Sequence, residues 1–441
     1  MSVNQELYPQ NMKVNKFGHL EISGVDLVSL AEKYSTPLYV LDENTIRKIC
    51  IEYKKAFKSY RKIRFLYASK ALCTMATSKI LSSEKFGFDC VSEGEIYTVK
   101  NAGIDMKTVL FNGNNKSFNE LSMAVELGVG RISVDNFFEL ALLNEISQIN
   151  NKKVDILLRI TPNIECHTHK YIQTGQLDSK FGFDMTEIDD VVELIKNEYK
   201  NLKLKGFHAH VGSQIFELKV YSDEVDILIK ELVRVNKKFS LKLNELNLGG
   251  GLGVKYCAND NPPSIFDMAD VIVTSLERNI KKYKIEPPTI YLEPGRSVIS
   301  TAGVTLYTIG SSKQVPNATK YVAIDGGMAD NPRPSLYEAK YIAKIANKPE
   351  EKAEEKVTIA GKFCESGDLL IKNIKLPILE EGDILCVFNT GAYNYSMSSN
   401  YNRTQKPAMV LINDGKADLI VKRENLNDLI RNDIIPKRFG E

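Results

Sequence analysis

The feature that most constrains this chain is an alternation. Short apolar, β-branched runs recur at Ile63–Ala68, Phe86–Cys90, Thr108–Asn112, Arg131–Asp135, Val154–Ile160, Leu204–His210, Glu245–Gly249 and Pro288–Glu293. Stretches with helical spacing lie between most of them: Met75–Ser82, Gly94–Ala102, Phe118–Leu127, Phe137–Ile149, Ile188–Glu198, Val220–Asn236 and Ile265–Lys282. Alternating β and α units imply parallel strands joined by right-handed crossovers. Eight such units fit an α/β fold of the (β/α)8 TIM-barrel type, with a doubly wound open sheet as the alternative, since periodicity does not show closure.

Past about residue 298 the texture changes. The runs Val304–Ile309, Lys320–Ile324, Glu355–Ile359, Asp383–Phe388, Ala408–Ile412 and Lys416–Val421 are short and are separated by turn residues such as Glu381-Gly382-Asp383 and Asn413-Asp414-Gly415. They predict a mostly antiparallel β domain. The organisation expected is an N-terminal segment (1–38) packing with that β domain, a barrel (39–298) and the C-terminal β domain (299–441). Residues 347–356, NKPEEKAEEK, read as a solvated surface loop.

Composition narrows the function classes. The chain has 441 residues, 43% apolar and 26% charged, which suits a soluble globular protein. Its 58 basic and 56 acidic residues nearly cancel, so no electrostatic argument favours nucleic acid or an anionic membrane as partner. The seven cysteines (Cys50, Cys73, Cys90, Cys166, Cys257, Cys364 and Cys386) are scattered, with no CxxC pair, and point to a reducing compartment. With no apolar leader and no long apolar run, a cytoplasmic location is expected.

In a barrel the chemistry collects where strands end at their carboxyl side. There stand Lys70, Asp89, Arg159, the His208-Ala-His210-Val-Gly-Ser213 run, the Gly249-Gly250-Gly251-Leu-Gly253 loop and Glu293-Pro-Gly295-Arg296. A lysine after the apolar run IRFLYA points into a cleft, where burial would make its amine nucleophilic for Schiff-base chemistry. The glycine loop follows a strand and is placed to open a helix whose N–H groups cradle phosphate. This set suits an aldehyde cofactor with a phosphate handle. The pairs His167/His169 and His208/His210 hold four of the five histidines and raise a metal as a rival. Cys364 lies in a polar loop, Cys364-Glu365-Ser-Gly-Asp368, which favours a functional thiol.

Nine motifs in order carry a resemblance: YASKA (67–71), FDCVSEGE (88–95), HTHKYIQTGQLDSKFGF (167–183), HAHVGSQI (208–215), LNLGGGLG (246–253), EPGR (293–296), RPSLY (333–337), CESGD (364–368) and TGAYNYSMSSNYN (390–402). The chain resembles the diaminopimelate decarboxylases, pyridoxal-phosphate enzymes with an alanine-racemase-type barrel. The resemblance implies that Lys70 binds pyridoxal phosphate covalently, His210 covers the ring and Glu293 pairs with its nitrogen. Asp89 and Arg159 would also belong to the cofactor site. Ser213, Gly249, Gly250, Gly251, Gly295, Arg296 and Tyr393 would hold the phosphate. Arg296, Arg333, Tyr337 and Tyr393 would bind substrate, with Glu365 meeting its amino group. Cys364 would supply a proton from the other subunit of a homodimer with active sites at the interface. No metal is implied. The implied reaction is decarboxylation of meso-2,6-diaminopimelate to L-lysine, the last step of lysine biosynthesis. The alternative is the same chemistry on ornithine, lysine, arginine or a carrier-linked or siderophore precursor. A metal-dependent hydrolase and a non-catalytic homologue are the remaining rivals.

Overall fold

A computed structural model describes residues 2–162 and 179–440. The chain divides into two units. One comprises Met1–Glu6, Ile46–Lys255 and Asn259–Ile299; the other comprises Leu7–Thr45, Tyr256–Ala258 and Ser300–Glu441.

The first unit is a closed parallel barrel. Its eight strands are Ile63–Ala68, Gly87–Cys90, Val109–Phe111, Arg131–Val134, Val154–Thr161, Leu202–His208, Glu245–Asn247 and Thr289–Leu292. Each pairs in parallel with the next, and the eighth pairs with the first through Ile290 and Ile63, which closes the ring. The open-sheet alternative is thereby excluded. A two-residue strand, Phe183–Asp184, adds beside Ile160 and Thr161. The apolar runs exist because the strands are covered on both faces. Leu66, Leu110 and Leu157, from the first, third and fifth strands, pack together with Tyr291, as a barrel layer built from alternate strands requires.

Local chemistry sets the helix ends. Ser117 caps Phe118–Leu127 in a capping box with Glu120, and Gly128 closes it in the left-handed conformation (φ 71°). Ser264 and Asp267 do the same at the start of Ile265–Tyr283. The long helix Lys219–Phe239 buries Tyr221, Val225, Leu228, Leu232 and Val235, the spacing of one helical face. Ser2 Oγ and Val3 N–H both donate to Glu52 Oε2, at 2.6 and 3.0 Å, tying the first residues to a barrel helix.

The second unit is built on a mostly antiparallel sheet. Its path runs Leu369–Leu376, Glu355–Ala360, Lys320–Ile324, Gly303–Gln314, Leu38–Asp42, Ala408–Asn413 and Lys416–Val421; Ile384–Phe388 also pairs with Gly303–Gln314 and carries Ala343–Ile345. Two pairings are parallel, Lys320–Ile324 with Glu355–Ala360 and Leu38–Asp42 with Ala408–Asn413. Leu38, Val40, Val304, Leu306, Phe388 and Val410 share one core with Leu20 and Ile22 from the small sheet Met12–Val14, Leu20–Ile22 and Val25–Asp26. Sequence patterning had not marked Leu369–Leu376, Ala343–Ile345 or Leu38–Asp42 as strands of this sheet.

Candidate active site

The carboxyl ends of the barrel strands converge on Glu293. This carboxylate follows the eighth strand and is buried. Asn247, last residue of the seventh strand, donates its amide to Glu293 Oε1 at 2.6 Å, and Asn112, just past the third, donates to the same oxygen at 3.2 Å. Asn112 also donates to Asp89 Oδ1 at 2.6 Å, bridging two buried carboxyl groups. On the other oxygen of Glu293 stands His208 Nε2, 3.6 Å away, while Ser133 Oγ lies 2.8 Å from His208 Nδ1.

Two buried carboxyls this close do not ionise together. Burial and the charge of Glu293 push Asp89 up to about 8. Burial works the same way on Glu293, but His208, His210 and the Asn247 hydrogen bond outweigh it and hold Glu293 down at about 2. At neutral pH one is a carboxylate and the other a carboxylic acid. Burial lowers His208, and lowers His210 further with help from Lys70 and Arg159, so both imidazoles are neutral.

The glycine loop is shaped by close approach. A Cβ on Gly250 would lie 2.1 Å from the Glu293 carbonyl oxygen, and one on Gly251 (φ 108°) would lie 2.5 Å from that of Gly212. Three of its amides are used within the protein: Gly249 N–H donates to Asn247 Oδ1 at 2.8 Å, Gly250 N–H to His210 Nδ1 at 3.2 Å, and Gly253 N–H to the Ile215 carbonyl at 3.1 Å. The expectation that this loop opens a helix is corrected, because the next helix begins only at Ile265. The residues between form an irregular segment, with Val254 N–H tied to Gln214. Across the loop, Arg296 Nη2 donates to Ser213 Oγ at 3.2 Å. Gly295 is buried against Ala68, where a Cβ would approach the Ala68 Cβ to 2.9 Å.

Lys70 follows the first strand in the short 3-10 turn Ser69–Ala71. It is exposed, not buried as the sequence suggested, because the turn lifts it onto the barrel mouth. Its charge reaches Asp89, Glu95 and His210. Arg159 is buried near the end of the fifth strand, its guanidinium 4.2 Å from the Phe181 ring and 3.9 Å from Asp135.

The remaining residues singled out in the sequence belong to the second unit. Arg333 is buried and donates through Nη1 to the hydroxyls of Tyr256 and Tyr341, at 2.9 and 2.8 Å. Tyr337 ends the same short helix, Arg333–Tyr337. Cys364 and Glu365 are exposed on one loop; Glu365 accepts from Tyr401 Oη. That loop is closed by Asp368, which accepts from Phe363 N–H and Met328 N–H at 2.9 and 2.7 Å. Tyr393 has a left-handed backbone (φ 63°). His167 and His169 lie outside the described residues.

Residues 43–300 match the family model described as pyridoxal-dependent decarboxylase, pyridoxal binding domain. The chain is 46% identical to the diaminopimelate decarboxylase of Bacillus subtilis (strain 168), over 95% of this chain and 96% of that protein. It is 44% identical to that of Synechocystis sp., over 99% of this chain and 95% of the relative. The chain belongs to the diaminopimelate decarboxylase family. The crystal structure of the family's M. jannaschii enzyme in co-complex with L-lysine superposes with a TM-score of 0.91, covering 99% of this chain and 100% of that one at 35% identity.

The barrel mouth fits the cofactor of this family, pyridoxal phosphate. Among the described residues Glu293 is a buried carboxylate hydrogen-bonded by neutral amides, a charge that suits a protonated ring nitrogen. An amine, Lys70, stands at the same end of the barrel. Sequence reasoning missed Asn247 and Ser133 as parts of this site. Asn247 was legible as a polar residue closing an apolar strand, where a buried amide needs a partner. Ser133 carried no signal, since a serine inside a strand is ordinary.

Among the described residues no helix is long and apolar enough to cross a membrane, and no group of three His, Cys, Asp or Glu side chains is arranged to hold a metal.

Proposed function

We propose that this chain decarboxylates meso-2,6-diaminopimelate to L-lysine and carbon dioxide, with pyridoxal phosphate held at the barrel mouth. The observation that carries the reading is Glu293: a buried carboxylate, ionised at neutral pH and, among the described residues, hydrogen-bonded by the neutral amides of Asn112 and Asn247. Pyridoxal phosphate, when bound, supplies an aldehyde for an amine and a protonated ring that accepts the electron pair left by departing carbon dioxide.

Lys70 would hold the cofactor through its side-chain amine. Glu293 holds the proton on the ring nitrogen, because a carboxylate in a low-dielectric site raises the basicity of its partner. Asp89, Arg159 and His210 line the ring, and His210 is fixed by the Gly250 N–H. Ser213, Gly249, Gly250, Gly251, Gly295, Arg296 and Tyr393 hold the phosphate, with the Gly251 amide the least committed of the three loop glycines.

Arg296, Arg333, Tyr337 and Tyr393 bind the substrate and Glu365 meets its distal ammonium. Tyr256 and Tyr341 keep Arg333 aimed. Fixing the far end sets the torsion at Cα, so remote binding energy selects which bond breaks. Lysine, ornithine and arginine lack the second carboxylate and would leave a buried guanidinium unpaired, which costs affinity. Cys364 of the partner subunit donates the proton that replaces carbon dioxide at Cα. The working form is a homodimer in the cytoplasm, a setting that suits the free thiols of Cys50, Cys73, Cys90, Cys364 and Cys386.

The test is a substrate panel of meso-diaminopimelate, lysine, ornithine and arginine with products identified by mass, together with borohydride reduction and peptide mapping. Expected are lysine from diaminopimelate and the label on Lys70. Faster turnover of ornithine or lysine, or a label on another residue, overturns the assignment.

A further inference from the structure

We infer that His208 is a positioning residue for Glu293, with Ser133 selecting the tautomer that does the positioning; this rests on the functional reading above. His208 ends the sixth barrel strand, in register with Asn247 on one side and Arg159 on the other. Its side chain is 1% exposed. The ring spans two groups, Ser133 Oγ at 2.8 Å from Nδ1 and Glu293 Oε2 at 3.6 Å from Nε2.

A neutral imidazole has one donor and one acceptor nitrogen. A lone pair on Nε2 would face a carboxylate oxygen, which is repulsive; a proton there is attractive. The carboxylate therefore selects the Nε2–H form. Nδ1 then has to accept, and a hydroxyl can donate to it. Ser133 is held for this, since its own carbonyl accepts from Lys116 Nζ at 2.8 Å. The same ammonium donates to the Gly113 carbonyl and to Glu139, both at 2.7 Å, so all three of its hydrogens are in use.

The division of labour on Glu293 gives the device its purpose. Oε1 takes both amide donors, from Asn247 and Asn112. Oε2 takes neither and faces His208. A cation at this place would pair with Glu293 and compete with a ring nitrogen for its charge. A neutral N–H orients the carboxylate and leaves that charge available. His208 is kept neutral by burial, against the pull of Glu293 and Asp135 and with the help of Arg159. It is thus distinct in role from His210, which is tied to the glycine loop.

The experiment uses holoenzyme loaded with pyridoxal phosphate labelled with 15N in the ring, following the ring-nitrogen resonance across pH beside kcat and KM. Ser133→Ala, His208→Phe and His208→Gln are compared with the wild type. In His208→Phe the pH at which the ring nitrogen loses its proton should fall by about one unit, with kcat down about tenfold and KM little changed. Ser133→Ala should move both in the same direction by less, and His208→Gln, which restores an N–H, should recover most of the loss. Wild-type titration in both His208→Phe and Ser133→Ala overturns the inference. So does a His208→Gln variant as impaired as His208→Phe, which would mean that ring volume alone matters. If His208→Phe does not fold, Ser133→Ala against His208→Gln decides by the same criteria. A wild-type protein that takes up no labelled cofactor sinks the functional reading itself, and this inference with it.

Discussion

The two ends of the barrel handle charge in opposite ways. At the amino ends of the strands Arg131 makes a two-pronged contact with Glu245, Nε to Oε2 at 2.8 Å and Nη2 to Oε1 at 2.7 Å, and reaches Asp155 at 3.1 Å through Nη1. Lys205 adds a second cation 3.8 Å from Asp155. Arg131 and Glu245 start the fourth and seventh strands, which are not neighbours, so the pair links the ring across its base. At the carboxyl ends the carboxyls of Glu293 and Asp89 meet amides and imidazole instead, and Lys70 on that rim is exposed. The base cancels its charges internally and spends them on the ring; the mouth keeps a bare carboxylate for a ligand. Removing the charge of Glu293 should therefore move chemistry and spare stability, and breaking the Arg131–Glu245 pair should do the reverse.

The sharpest way to break this contrast is Glu293→Gln. It keeps shape and hydrogen bonds but removes the charge, and kcat should fall by about 10²–10³. The melting temperature should change little, because the new carbonyl still accepts from Asn247 and Asn112, and the stability lost with the charge is offset by relief of Asp89 beside it. Heat denaturation beside steady-state kinetics reads both. At the base, Glu245→Gln leaves Arg131 with Asp155 alone. The pair is partly exposed, with Arg131 at 22%, so the loss is set below that of a fully buried pair, at about 2–3 kcal/mol in urea unfolding. The kcat per folded molecule should stay within twofold, as roughly expected for a site far from chemistry. A large kcat loss in Glu245→Gln would erase the distinction between the two ends.

How far the sequence announced this depends on locality. The barrel strands were legible because both faces are covered and the runs are almost wholly apolar; Ile63–Ala68 came out with its limits intact, and Phe118–Leu127 and Phe137–Ile149 did so among the helices. In the second unit Leu38–Asp42 was missed because it pairs with Gly303–Leu306 and Ala408–Ile412, partners hundreds of residues away that leave no local pattern. Leu369–Leu376 was missed because its register shifts twice and Asn373 takes a positive φ (57°), which spoils the alternation. At the site, strand ends named Lys70, Asp89 and Glu293 directly. They did not show that Lys70 is raised on a turn, or that Gly249 and Gly250 spend their amides on Asn247 and His210. Those facts follow from which side chains face one another across the ring, and spacing along the chain does not encode that.

A smaller effect sharpens the comparison one layer behind the mouth. Glu224, on the helix Lys219–Phe239, is fully buried, and among the described residues neither of its carboxyl oxygens has a hydrogen-bond partner. Burial, and after it the charge of Glu293, raises its pKa well above the ordinary range, so the folded protein keeps a proton that the unfolded chain gives up. The stabilising effect of that proton is present at acid pH and is lost as pH rises past the ordinary carboxylate range toward the folded value. Glu224→Gln should match the wild type near pH 4 and exceed it by about 1–2 kcal/mol at pH 7, read from urea unfolding at both pH values. No gain at pH 7 would show that the carboxyl ionises in the folded state.

The smallest effect at neutral pH is expected at Asp89. If Glu293 holds the charge and Asp89 the proton, Asp89→Asn replaces a neutral acid with a neutral amide, and its carbonyl can still accept from Asn112. Turnover at pH 7 should stay within about threefold, since nothing charged has been removed. The difference belongs to the pH dependence of stability. The folded pKa of Asp89 lies at about 8, above its unfolded value, so the stability that its proton contributes is complete in acid and gone once pH passes about 8. The wild type should lose melting temperature between about pH 5 and pH 8, where the unfolded chain has given up this proton and the folded protein still holds it, and Asp89→Asn should lose less over the same range. A collapse of activity in Asp89→Asn at pH 7 would mean that Asp89 is ionised there, so that the mouth carries two carboxylates and needs a cation from its ligand to hold them apart.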